Sequence, residues 1–110
     1  MAYDTKLEER IKGNLKGTRG LIEKKMFGGV GFMIRGNMAC GVMKDDLIVR
    51  FDPDQHNQII KRAHVKPFMA TRGKPMSGLI LVEPEGCKTD KALNEWIQMG
   101  VEFAKTLPPK

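Results

Sequence analysis

Eight residues in the first third of the chain, Lys24-Lys25-Met26-Phe27-Gly28-Gly29-Val30-Gly31, gather two cations, one aromatic ring and three glycines. Two kinds of chemistry suit such a run. Glycine lets backbone bend sharply or lets another group approach it closely, and paired ammonium groups attract an anion. A phosphate cradle needs Gly-x4-Gly-Lys-Ser/Thr, and a dinucleotide fold needs Gly-x-Gly-x-x-Gly; neither spacing is present. Gly28 and Gly31 do frame a Gly-x-x-Gly, but the form that clamps nucleic acid lies between helices, and this one lies among strand-type residues. Gly28, Gly29 and Gly31 therefore read first as a bend or bulge, and second as backbone open to a ligand.

The cations carry the same two alternatives. Lys24 and Lys25 alternate on a strand, so one of them faces outward on a given sheet face. It could share a phosphate with Arg35, Arg50 or Arg72. Arg50 stands inside the otherwise apolar run Leu47–Phe51. On an exposed sheet face its guanidinium could hold a carboxylate or phosphate bidentately. Lys61, Arg62 and Lys74 complete the candidate anion or nucleic-acid contacts. Cys40, Cys87, His56 and His64 lack zinc-type spacing, so they read as structural thiols and two surface histidines, with no metal and no cofactor. Ser77 is the only serine and lacks a nucleophile elbow, and Asp45-Asp46 is turn chemistry. With no catalytic residue to name, the chain reads as non-enzymatic. The methionines at 26, 33, 38, 43, 69, 76 and 99 read as core filling, with an adaptable binding surface as the alternative.

The distribution of charge narrows the partners. The 110-residue chain carries a net charge of +6. Between residues 10 and 44 eight lysines and arginines face one acid, Glu23, and residues 55–82 add five more cations with no acid. If these segments share a face, that face attracts polyanions. No apolar run reaches the roughly 18 residues of a spanning helix, and the first residues hold no apolar signal core. A cytoplasmic protein without membrane contact is expected.

Short elements must position these groups. Thr5 and Glu8 fit a capping box ahead of a helix carrying Leu7, Ile11 and Leu15. From Leu21 to Asp52 turns at Arg35-Gly36-Asn37 and Lys44-Asp45-Asp46 divide three apolar runs, predicting a three-stranded meander whose first strand bends at Gly28-Gly29. Asp52-Pro53 starts a helix that turns Ile59, Ile60 and Ala63 inward and ends before Pro67. Strands Lys66–Thr71 and Leu79–Glu83 follow. A last helix, capped by Thr89 or Asp90, runs to about Thr106 with Leu93, Trp96, Ile97, Gly100, Val101, Ala104 and Leu107 on its apolar face. The predicted class is α+β: a two-layer sandwich with an antiparallel sheet, helices on one face, and order α-β-β-β-α-β-β-α.

Lys24 through Phe32, Arg72-Gly73-Lys74-Pro75-Met76-Ser77-Gly78, and the stretch from Leu93-Asn94-Glu95-Trp96 to Pro108-Pro109 together resemble the TfoX N-terminal domain, with Asp46–Asp52 fitting between them. The resemblance implies a two-layer fold with an antiparallel sheet. It also implies a link to regulators of natural competence, which act with a cyclic-AMP-responsive activator at DNA. Those regulators carry a second, C-terminal domain, whereas residues 1–110 are read as a single domain without it. The expected function is a non-catalytic regulatory or adaptor domain that binds a protein partner, with weak, non-specific nucleic-acid binding as an added expectation. The alternative is a small anionic-ligand-binding or enzymatic domain using the exposed sheet face around Lys25 and Arg50. A third reading is a homo-oligomeric assembly module. No aromatic platform interleaves with the cations, so single-strand stacking is not expected.

Overall fold

Turn residues in pairs cut the stretch from Leu21 to Arg50 into strands. The computed structural model describes residues 4–26, 28–69, 73 and 75–108. It folds this stretch as four antiparallel strands: β1 (Leu21–Met26), β2 (Gly29–Ile34), β3 (Asn37–Met43) and β4 (Asp46–Arg50). Each reversal takes two residues, since Met26 pairs with Gly29, Ile34 with Asn37 and Met43 with Asp46. Such turns need positive φ, supplied by Gly28 (73°), by Arg35 and Gly36 (53° and 85°), and by Lys44 (54°). The single bent strand expected across Gly28-Gly29 is thus a hairpin, and the meander has four strands instead of three. Gly29 is needed on its own account: a Cβ there would collide with the Val42 carbonyl oxygen.

After β4, Asp52 accepts a hydrogen bond from the Asp54 amide (3.0 Å) and opens a 3-10 turn, Pro53–Gln55, that runs into the four-residue α2, His56–Ile59. This helix is shorter than predicted. His64 already takes φ 65°, its carbonyl accepts from the Glu83 amide (2.8 Å), and Val65 pairs with Val82. The need to rejoin the sheet ends the helix early, which leaves Ala63 exposed instead of inward. β5 (Val65–Met69) and β6 (Pro75–Val82) form the second hairpin, and β6 inserts between β4 and β5 to give the order β1-β2-β3-β4-β6-β5, antiparallel throughout. β6 starts four residues before the predicted Leu79 because Gly78, at φ 83°, lets the strand kink without ending. Its partner pairing shifts register between Pro67 and Met69. A 3-10 turn, Pro84–Cys87, leads to α3.

Helix α1 (Thr5–Leu15) and helix α3 (Asp90–Thr106) cover one face. Asp4, not Thr5, caps α1, accepting from the Lys6 and Leu7 amides (2.9 and 3.2 Å); an ionised cap also suits the helix dipole. Thr89 caps α3 by accepting from the Ala92 amide (3.1 Å). Leu7, Ile11 and Leu15 join Leu93, Trp96, Ile97, Val101 and Ala104 over Val30, Phe32, Val42, Leu47, Val49 and Ile80. The extra residue of a β3 bulge, Ala39, turns inward beside Cys40. Gly100 packs so closely on the Ala39 carbonyl that a side chain would not fit. At the end of this layer the buried Asn37 donates from Nδ2 to the Pro108 carbonyl (2.9 Å). No described helix is long and apolar enough to cross a membrane.

Candidate functional site

The other face of the sheet has its own apolar cluster. Met38, Ile48 and Phe68 are buried there, with Met33, Met43, Leu79 and Leu81 packed against them. Every member lies on a strand, and no helix residue joins them. The register explains the arrangement. Lys24, Gly31, Gly41, Ile48, Leu81 and Lys66 are successive partners across all six strands and form one row. Ile22, Met33 and Met38 form the next row towards the Arg35 turn. The buried glycines of the first row leave a trough that methionines fill: the Met38 Cε lies 3.2 Å from where a Gly41 Cβ would be. Ile22 is 61% exposed at the margin. Core filling, the expectation for the methionines, holds for Met99 in the helix-side core and for buried Met38 in this second cluster; Met33 and Met43 pack against the same cluster, half-buried.

Two cations border the face and one crosses it in a pair. Lys66 donates to Asp46 Oδ2 (2.8 Å), and that carboxylate raises the ammonium above the ordinary lysine value. Lys24 is exposed at the β1 edge. Arg50 pairs with Leu79 and shares the face of Ile48. Its guanidinium lies over the Phe103 ring of α3, 5.6 Å from the centroid, where the end of the sheet meets the helix. Beside it opens a cavity of about 290 Å³ walled mainly by Met38, Met76, Leu79 and Phe103, with Ser77 at its rim.

The remaining candidates among the described residues do not converge on that place. Lys25 opposes Val30, so its side chain belongs to the helix side of the edge strand. It stands three strands from Arg50, or about 14 Å at the usual strand spacing, and on the opposite face. Lys61 is exposed beyond α2. Arg62 stacks over Trp96, 4.3 Å from the ring centroid. Arg35 lies in the β2–β3 turn, where Arg19 and Lys105 join it around a second cavity of about 310 Å³. Arg72 and Lys74 lie outside the described residues. Gly28 makes the turn, Gly29 meets Val42, and Gly31 pairs with Gly41 in the trough.

A meander of this order, the inserted β6 and one helix-covered face agree with the fold that the sequence resemblance implies. The family model of the TfoX N-terminal domain matches residues 14–104 of the 110-residue chain. The chain belongs to the TfoX N-terminal domain family. No curated protein and no solved structure matches it.

In this TfoX N-terminal domain the thiols are structural in placement. Burial pushes the Cys40 thiol up to about 12. It also raises that of Cys87, against the lowering effect of Arg10, and Cys87 Sγ donates to the Glu83 carbonyl (3.7 Å). His56 departs from the surface reading: half-buried, it stacks on Phe51 with ring centroids 5.8 Å apart, and its Nδ1 accepts from the Gly78 amide (3.3 Å). His64 is exposed. Among the described residues no three His, Cys, Asp or Glu side chains are placed to share a metal ion. Sequence reasoning singled out Arg50, and named Met76 among the methionines of an alternative adaptable surface, but did not connect Phe103 with them. Its distance along the chain hid it, and an aromatic seven residues beyond Trp96 on the same helix stripe was the available signal.

Proposed function

We propose that this TfoX N-terminal domain is a non-catalytic docking module of the competence-regulator type, whose uncovered sheet face seats a partner protein. One observation carries the reading: the face opposite the helices has a second apolar cluster, rich in methionine, with no described element packed over it. Exposed Ile22 and half-buried Met33 and Met43 carry the cluster to the surface, contiguous apolar surface marks interaction sites, and flexible thioethers adapt to a partner's shape. Charge indicates the partner's chemistry. Lys24 and Arg50 border the face, Lys66 is already satisfied by Asp46, and the net excess is positive. The complementary surface is therefore apolar at its centre and acidic at its rim.

Photo-methionine incorporated in place of methionine would cross-link whatever sits on Met33, Met38 and Met43. The captured protein is then purified and its affinity measured with the full chain. Met33→Asp and Ile22→Asp, both at accessible positions, should each weaken binding by roughly 30-fold or more, the mark of a hot spot. A complex that tolerates both substitutions, or cross-links that come only from Met99 on the helix side, would refute the reading. A second copy of this chain as the captured species would instead assign the face to self-assembly.

A further inference from the structure

The Arg50 cavity is more selective than the face it adjoins. Arg50 is half-buried, and among the described residues none accepts a hydrogen bond from its guanidinium or lies within ion-pair distance. A partly desolvated charge without a counter-ion is costly. Its guanidinium carbon lies 5.6 Å from the Phe103 ring centroid, a cation–π contact that occupies none of its N–H donors. Among the described residues Arg50 is the only charged one in the lining, and the other walls are apolar except for the Ser77 hydroxyl. A single positive charge in apolar surroundings suits one negative charge on a planar fork. A phosphate, with nearly two charges to neutralise, would be left under-compensated.

Size and rigidity narrow the ligand further. At about 290 Å³ the cavity stands at the lower bound of roughly 300–1,000 Å³ typical for ligand pockets. That is room for one anchoring side chain and its carboxylate rather than a bulky cofactor. The rim is built in. Gly78 at φ 83° bends β6, its carbonyl accepts from the Phe51 amide (2.9 Å), and its amide is held by His56. A Cβ at Gly78 would press on the Phe51 carbonyl oxygen and Pro53. Met38 and Leu79 belong both to this cavity and to the open face.

We infer that this pocket is an anchor site for a carboxylate borne on, or next to, an aromatic or aliphatic residue. Its biological setting rests on the docking reading above: the carboxylate would be the partner's. The chemistry can be tested on the isolated domain without any partner. Nitrogen-15 NMR would follow the Arg50 Nε–H and the amides of Ser77–Leu79 during titration with three probes. N-acetyl-phenylalanine carries a terminal carboxylate, N-acetyl-aspartyl-phenylalanine amide carries a side-chain carboxylate, and N-acetyl-asparaginyl-phenylalanine amide carries none.

At least one acidic probe should shift these signals and bind on the order of tenfold more tightly than the neutral one, as expected for a charged hydrogen bond. Which acid wins distinguishes a chain terminus from an internal acidic residue. Arg50→Met should remove the preference, and Phe103→Leu should weaken both acids while the rest of the spectrum keeps its dispersion. Equal binding of acidic and neutral probes, or no shift with any of them, overturns the inference. The docking face would then still stand or fall by Met33→Asp.

Discussion

The guanidinium of Arg62 lies over the indole of Trp96, 4.3 Å from the ring centroid, while the indole Nε1 donates to the Gly86 carbonyl (3.3 Å). The arginine just beyond α2 is thereby tied to the aromatic anchor of α3, and the short helix gains a lid on the core. Arg62→Ala should cost about 0.5–1 kcal/mol of stability, with Arg62→Lys costing less. Trp96→Ala should cost about 3–5 kcal/mol. Urea unfolding at pH 7 checks all three.

Glycine substitutions should separate close packing from conformational need. Gly29→Ala drives a Cβ into the Val42 carbonyl and should destabilise by about 1–3 kcal/mol or more. Gly13, in the last turn of α1, has nothing within 4 Å of its would-be Cβ. Gly13→Ala should therefore stabilise by about 0.5–1 kcal/mol. Melting temperatures moving in opposite directions would bear this out.

Alkaline pH should act through Cys40. Its folded value of about 12 lies above the ordinary 9.0, so the native state keeps a proton that the unfolded chain releases. The thiol's contribution is complete below the unfolded value and is lost as pH rises through the folded one. The slope is about 1.4 kcal/mol per pH unit. The stability difference between wild type and Cys40→Ala should shift against the wild type from pH 8.5 to 10.5. A constant difference would show that the thiol ionises in the folded protein.

Polyanion binding should centre on Arg19, Arg35 and Lys105, the cations that share a cavity. Three phosphate contacts imply a loss of roughly 40-fold in affinity between 50 and 200 mM salt, from the slope of about −0.9 per contact. Fluorescence anisotropy with a labelled random duplex would measure it. Arg35→Glu should flatten the slope, and Lys25→Glu, on an edge strand away from that cavity, should change it less.

Much of this molecule was legible in its residues because the signals were local. The turns at Arg35-Gly36 and Lys44-Asp45, the apolar stripe of α3 and the Thr89 cap follow from spacing of four residues or fewer. The errors share a different origin. Gly28 could bend a strand or reverse it, and only the pairing of Met26 with Gly29 decides. Helix α2 looked longer because nothing near Ala63 announces that Val65 must meet Val82. The same holds for the candidate site. Arg50 was visible as a lone cation in an apolar strand, but its surroundings come from Phe103 and Met76, more than 25 positions away in the chain. The methionines were ambiguous for a simple reason: a strand buried on both faces reads alike whether the second cover is its own helix or another molecule.

The place of β6 between β4 and β5 has a consequence for how the domain assembles and fails. β1 to β4 are zipped by two-residue reversals, and β5 with β6 is a second local hairpin. Only the β4–β6 ladder, from Leu47–Val82 to Arg50–Leu79, joins partners distant in sequence. Local pairs form fast and distant ones late, so that ladder is the last seam to close and the first to part. When it opens, Leu47, Ile48 and Val49 present a bare apolar strand edge, the form of surface that recruits a neighbouring chain. Aggregation during refolding or heating should therefore begin at this internal seam, while the outer edge at β1, guarded by Glu23, Lys24 and Lys25, stays quiet.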